Sequence, residues 1–432
     1  MPASNQLKFG INLSAKNIHT LLKAVVVLNL FFLAGTWLHH SRLIESRSYT
    51  IQLLMVQLNL AKENVAASWY SSMLFCCTGI AALLCFWAEA GKVYNFKGRL
   101  FNGGWIAMAG VFFLLSFDEM GSFHEMIGET ALFKKAGSGR SAGWYAFYSL
   151  IGLVALAMLS FFVVKFKNNR FAFLLTVLGV LLFISNPFQE KFEIHAWRNA
   201  TNPATWRRPV FFLLLEEGSE IFASFCFLYS FVAYAVNAAK PTNSAGSNGL
   251  YLQVNLPRQF LMYLTAALAL LGVAMLVIHL NAWNFDRDDN GTPHNWPPAL
   301  VGFVGMLFCV YLFNIGKKTP NKKWYLLLAA NCLLVSLYFG CNIYGYKSGL
   351  FSKIPYLLLV VSFVTTIPAV NKLQPLYTKL LLVTSLLLML CCVFSSRFYP
   401  AAFGYLSTAC MLIALYIHYK FLHTTVNHMR PV

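Results

Sequence analysis

Long apolar runs separated by short polar stretches fill this chain from about residue 20 to residue 420. Twelve of them approach the ~20 residues that a helix needs to cross ~30 Å of hydrocarbon. They fall at about 20–38, 67–88, 105–124, 144–164, 171–187, 209–236, 259–280, 298–315, 324–343, 354–371, 379–396 and 400–420. Hydrocarbon offers no water to backbone N–H and C=O groups, so segments of this kind cross as helices. The pattern predicts an all-α fold, a polytopic transmembrane helical bundle of about 12 spans. Leu21 to Leu38 has no small-residue cleavage site and reads as span one, not as a removable leader. Thr50 to Leu60, in the loop that follows, reads as a short interfacial helix. Asn186-Pro187 is expected to end span five, because proline lacks the N–H that would continue the ladder.

Residues 238–257 form a stretch rich in Ala, Ser, Asn and Gly that reads as a cytoplasmic linker. It divides the chain into residues 1–237, with spans one to six, and residues 258–432, with spans seven to twelve. The second half keeps few ionisable groups inside its spans and reads as scaffold or cleft wall.

Composition sharpens this picture. The chain is 58% hydrophobic and 11% charged, with a mean hydropathy of +0.60. Its net charge of +18 fits orientation rules and anionic lipid rather than nucleic acid. Lys and Arg are modestly enriched on the side that holds both termini, which makes that side cytoplasmic. The acids are far more lopsided. Of 15 Asp and Glu residues, Glu89 alone falls on the cytoplasmic side, and the others lie in outer loops or outer span halves. Acids contribute little to topology, so a functional outer face is the simplest cause. The ten cysteines all lie in or beside apolar runs and read as small buried hydrophobes, giving neither disulfides nor a thiolate metal site.

Two stretches carry the candidate chemistry. Asp118, Glu119, His124, Glu125 and Glu129 follow directly on the apolar run from Trp105 to Phe117. Glu216, Glu217 and Glu220 interrupt the apolar span six. Ionisable groups inside a span are costly and mark functional sites by default. At 1.5 Å per residue Asp118 sits about 10 Å below the outer surface, and Glu216 about 12 Å down. Asn186 falls at a similar level. Helical phase puts Asp118, Ser122, Glu125 and Glu129 on one face, with Glu119 and His124 pointing elsewhere. Carboxylates this close cannot all ionise without compensation: some must be protonated, paired with arginine or bound to a cation.

Carboxylates with imidazoles suit Zn, Mn, Fe or Mg. The expected metal ligands are His124, His195, Asp118, Glu216, Glu217 and Glu220. Asp118, Glu119, Glu125 and Glu217 are the candidate catalytic groups, and Arg198, Arg207 and Arg208 the candidate binders of an anionic headgroup. Neither the paired Glu-x-x-His of di-iron bundles nor His-Glu-x-x-His is present. The bland alternative pairs the same acids with the three arginines. Asp286, Asp288 and Asn290, followed by Gly291, match the start of a calcium loop, but Pro297 stands where its bidentate Glu belongs. His39, His40, His418, His423 and His428 read as interfacial residues.

The chain resembles a group of uncharacterised bacterial multi-pass membrane proteins. The likeness rests on Leu115 to Glu119 with His124 and Glu125, on Glu216, Glu217 and Glu220, and on Ala67 to Ser72. It implies a bacterial inner (plasma) membrane and no particular activity. Twelve spans and Gly91, Gly98 and Arg99 in the loop after span two are also similar to the major facilitator transporters, with Asn95 where their motif has aspartate. Two functions follow as expectations. One is an outward-facing, metal-assisted enzyme acting on a lipid or lipid-linked substrate. The other is a proton- or cation-coupled transporter using the same acids.

Overall fold

A computed structural model describes residues 7–41, 48–90, 101–121, 141–199, 208–239, 249–256, 260–282, 295–315, 322–341, 353–372, 375–394 and 400–428. The chain forms two compact units: Phe9–Val254, and Asn255–Val432 together with Met1–Lys8. Among the described residues there are thirteen helices and a two-stranded sheet.

The first unit runs β1 (Leu7–Ser14), α1 (Ala15–Ser41), α2 (Tyr49–Gln57), α3 (Ala66–Ala90), α4 (Gly104–Gly121), α5 (Ser141–Phe166), α6 (Arg170–Arg198), α7 (Val210–Ala238) and β2 (Gly249–Leu256). Helix α7 is its centre and packs on α1, α3 and α6; α4 packs on α3, and α5 on α6. Contacts fix the direction of each helix. Thr78 meets Ser224, Cys85 meets the Phe231 carbonyl and Glu89 meets Tyr234, so α3 and α7 run parallel. Ser72, early in α3, bonds the Ser116 carbonyl late in α4 (2.6 Å), while Asn102 bonds the Phe86 carbonyl. Helix α4 therefore runs antiparallel to α3, as successive crossings require.

The middle of this unit is aromatic. Trp105, Phe112, Phe162, Phe166, Phe227 and Phe231 are fully buried. Their rings contact across α4, α5 and α7, as in Trp105–Phe231 (5.4 Å between centroids) and Phe112–Phe227 (5.2 Å). Such edge-to-face pairs add about 0.5–1.5 kcal/mol each beyond their buried area.

The second unit contains α8 (Phe260–Ala282), α9 (Trp296–Ile315), α10 (Lys322–Gly340), α11 (Ile354–Lys372), α12 (Leu376–Phe394) and α13 (Pro400–His428). Helix α13 packs on α8, α9, α10 and α12, and α11 bridges α10 and α12. Helices α9 and α10 approach backbone to backbone. A Cβ placed on Gly302 would lie 3.1 Å from the Cys332 carbonyl oxygen and 3.1 Å from the Ser336 nitrogen. Ser336 uses this closeness to bond the Ala299 carbonyl (2.6 Å), and Ser362 bonds Asn331 (2.7 Å). Small residues and short hydroxyl bonds are how helices associate where lipid removes the usual apolar drive.

Every expected span coincides with a helix. Seven helices, among the described residues, are long and apolar enough to cross a membrane, and five shorter apolar stretches accompany them. Leu114, Leu153, Leu174, Leu270 and Val364 are more than half exposed, as fits contact with lipid chains. Helix α2 matches the short helix expected after span one.

Three expectations change. Helix α6 does not stop at Pro187 but continues to Arg198. The proline removes one ladder bond, to the Phe183 carbonyl, and packing against α7 outweighs that loss. The segment from Gln189 was expected as loop and is helical up to Arg198. The linker is partly a strand, since β2 pairs with β1. The alternation Leu7, Phe9, Ile11, Leu13 and Leu250, Leu252, Val254, Leu256 is the period-two strand signal, overshadowed by the adjoining polar composition. Both strands adjoin the same end of the unit, before α1 and after α7.

A Gly302→Leu substitution should loosen the second unit, because helix backbone has no flexible end to move aside. Overpacking of this kind costs about 1–3 kcal/mol, read as a lower unfolding midpoint in detergent. Gly110→Leu, where a Cβ meets nothing within 4 Å, should leave the midpoint unchanged.

Candidate functional site

Glu217 is the meeting point of the acidic stretches. It sits in the second turn of α7, within electrostatic reach of Glu220, Glu119, Arg208 and Glu63. These groups come from α7, the end of α4, the residue before α7's cap and the turn that leads into α3. Glu119, from the first acidic stretch, is thus within electrostatic reach of the second at one end of the first unit.

Local structure explains the convergence. Helix α7 starts at Pro209, with fixed φ and no N–H to leave unsatisfied. Arg208, just before it, folds back and donates from Nη2 to the Glu216 carboxylate, an ion pair with side chains 32% and 21% exposed. Asn186 on α6 donates to Glu220 (2.8 Å) and accepts from Ser219, whose hydroxyl also reaches the Glu216 carbonyl (2.7 Å). The level assigned to Asn186 from residue counting thus holds. Gly179 lets α6 come this close, since a Cβ there would meet the Ala223 carbonyl at 3.2 Å.

Glu63 was not singled out from sequence. Its turn is clamped onto α1. Thr36 bonds the Leu58 carbonyl (3.2 Å) and receives the Leu60 N–H (2.9 Å), and the Gln57 side chain accepts the Ala66 N–H (2.9 Å). Gly35 makes room, because a Cβ there would sit 2.6 Å from Leu58 Cβ. The one available signal was the general crowding of acids on the outer side.

Asp118 and Glu119, both half-buried, lie at the end of α4, and Glu119 is within electrostatic reach of Glu217. His124, Glu125, Arg207, Asp286, Asp288 and Asn290 lie outside the described residues. His195 and Arg198 are on the last turns of α6, and their side chains also lie outside the described set. Among the described residues, no three His, Cys, Asp or Glu side chains gather as a ligand set.

A second charged cluster occupies the other end of the unit, about 25 Å away along α7 from Glu217 to Tyr234. Glu89 is buried and accepts from Lys165 of α5 and from the Tyr234 hydroxyl of α7. The Lys165 ammonium also lies 4.9 Å from the Phe101 ring centre and 5.6 Å from that of Phe161. Charge and aromatic faces together hold it. From the sequence, Glu89 was only the exception to the acidic asymmetry.

Apolar helices of spanning length, with ionic side chains paired between them inside the bundle, define a multi-span helical integral membrane protein. Residues 21–235, almost all of the first unit, match the family model described as a domain of unknown function (DUF8692). No curated protein and no solved structure matches the chain. The likeness to major facilitator transporters thus rests on Gly91, Gly98 and Arg99 and on span number, and those loop residues lie outside the described set.

Glu89→Gln should leave the buried Lys165 ammonium without its charge partner, a change that costs about 3–5 kcal/mol. The double variant Glu89→Gln/Lys165→Met should recover most of the loss. Unfolding of the purified protein in detergent, followed through a double-mutant cycle, measures both.

Proposed function

We propose that the first unit is an outward-facing, carboxylate-lined cation site and that the protein is a metal-assisted membrane enzyme acting on a lipid or lipid-linked substrate. The observation that carries this reading is that Glu63, Glu119 and Glu220 all lie within electrostatic reach of Glu217. Carboxylates within electrostatic reach of one another repel, and a bound cation relieves that repulsion. Their position near helix ends suits a substrate arriving from the membrane surface. Beneath them the unit is filled by Phe112, Phe227 and Phe231, which favours a site closed below over a path running through.

A divalent ion such as Zn, Mn, Fe or Mg would polarise a phosphoryl or acyl oxygen, or activate a water. Glu119 and Glu217 are the proton-handling groups in this proposal. His124 and Glu125, a few residues beyond α4, complete the ligand set in this proposal. Arg208 already holds Glu216, so an anionic headgroup would take the guanidinium from that carboxylate. We place both termini and the β1–β2 pair on the cytoplasmic side of a twelve-span bundle in a bacterial inner membrane. The helix directions in the first unit support that alternation.

The second reading is a proton- or cation-coupled transporter. The observation that favours it is the Glu89–Lys165–Tyr234 cluster at the far end, since transporters place ionisable groups along the pathway.

Protein purified without chelator should carry a divalent metal in stoichiometric amount, and Glu216→Gln/Glu217→Gln should lose it while remaining folded. Elemental analysis measures both. Metal-free wild type whose melting temperature does not respond to added Zn, Mn, Fe or Mg would exclude the enzyme reading. Proton uptake into vesicles that disappears in Glu217→Gln would then favour the transporter.

A further inference from the structure

The second unit holds a set of sulfur atoms that its sequence spacing does not advertise. Cys309 of α9, Cys332 of α10 and Met411 of α13 come from three different helices. The Cys332 thiol donates to Met411 Sδ at 3.1 Å, and the side chains of Cys309 and Cys332 are hydrogen-bonded to each other. All three are buried, with relative exposures of 0%, 3% and 4%. Tyr325 lies within electrostatic reach of Cys309, and its hydroxyl is 2.7 Å from Nε2 of the buried His418. His418, expected at the interface, is thus part of a continuous buried cluster.

We propose that Cys309, Cys332 and Met411 form a binding site for a soft monovalent metal ion, Cu(I) in particular. Thiol and thioether sulfurs are the donors that select Cu(I), whereas oxygen-binding ions gain nothing from them. Three donors on three helices can surround an ion in a trigonal arrangement. Metal–sulfur bonds of about 2.3 Å require sulfurs about 4 Å apart, so binding needs only a small opening of the present contacts. Gly305 leaves room for it. A Cβ there would meet nothing within 4 Å except Cys332, whose sulfur would be 3.2 Å away.

One thiol releases its proton to solvent as the ion binds, so one positive charge replaces another and the buried site stays neutral. Cys332 lies about 15 Å along α10 from Lys322, near the middle of a ~30 Å layer.

The test uses full-length protein in detergent, reduced and free of oxygen, equilibrated with Cu(I) against a competing Cu(I) chelator. Elemental analysis after desalting should find a single retained ion per wild-type chain. Cys309→Ser and Cys332→Ser should each lower affinity by more than the roughly 10–100-fold that loss of an outer-shell partner costs. Met411→Leu keeps the volume of the side chain and should also weaken retention. Cys391→Ser/Cys392→Ser on α12, which removes the adjacent pair outside the cluster, should leave it unchanged. Ag(I), a redox-inert substitute, should raise the melting temperature of wild type, a readout that needs no variant. Equal retention by wild type and Cys309→Ser/Cys332→Ser, or no retention and no Ag(I) shift in wild type, overturns the proposal. Neither result bears on the carboxylate site, which lies in the other unit and takes a different class of ion.

Discussion

Taking a charged side chain out of water costs several kcal/mol unless a partner is already in place. In the first unit that cost makes helix packing and polar pairing one problem. Glu89 leaves α3 and is met by Lys165 from α5 and Tyr234 from α7. Glu220 leaves α7 and is met by Asn186 from α6. Each pair is a point where a sliding helix would lose a hydrogen bond that lipid cannot replace. The pairs therefore set the register of α3, α5, α6 and α7 more sharply than apolar contact, which tolerates small shifts.

Between the two polar ends lies a core of a different character. Trp105, Phe112, Phe162, Phe227 and Phe231 pack ring against ring across three helices. Aromatic rings are large and have few rotamers, so they close the space and hold the carboxylate end and the ion-pair end apart.

The second unit solves the same association problem with almost no charge. Tyr405 bonds the Leu268 carbonyl, and Ser407 bonds the Ser385 carbonyl at 2.8 Å. Glycine at 302 lets two backbones nearly touch. Hydroxyl bonds of this kind are worth about 1 kcal/mol each in a membrane, so they hold the helices without strongly favouring one ionic state. The buried sulfurs and the Tyr325–His418 pair are the exceptions, and they sit together.

Run length and composition alone determined that this is a helical membrane protein and where its helices fall. The reason is that hydrocarbon imposes a rule on every residue locally: satisfy the backbone within the segment and keep the surface apolar. Relative level along the helices was readable for the same reason, because helix rise converts residue number into distance, and Asn186 does meet Glu220. Azimuth was not, because the rotation of α4 against α3 is decided by their contact surfaces together. The placing of Glu63 depends on a turn clamped by Thr36 and Gln57, and the close approach of α9 to Cys332 on Gly302 and Gly305. These are meetings between distant segments, and only packing in three dimensions chooses among the many that the same pattern of residues permits.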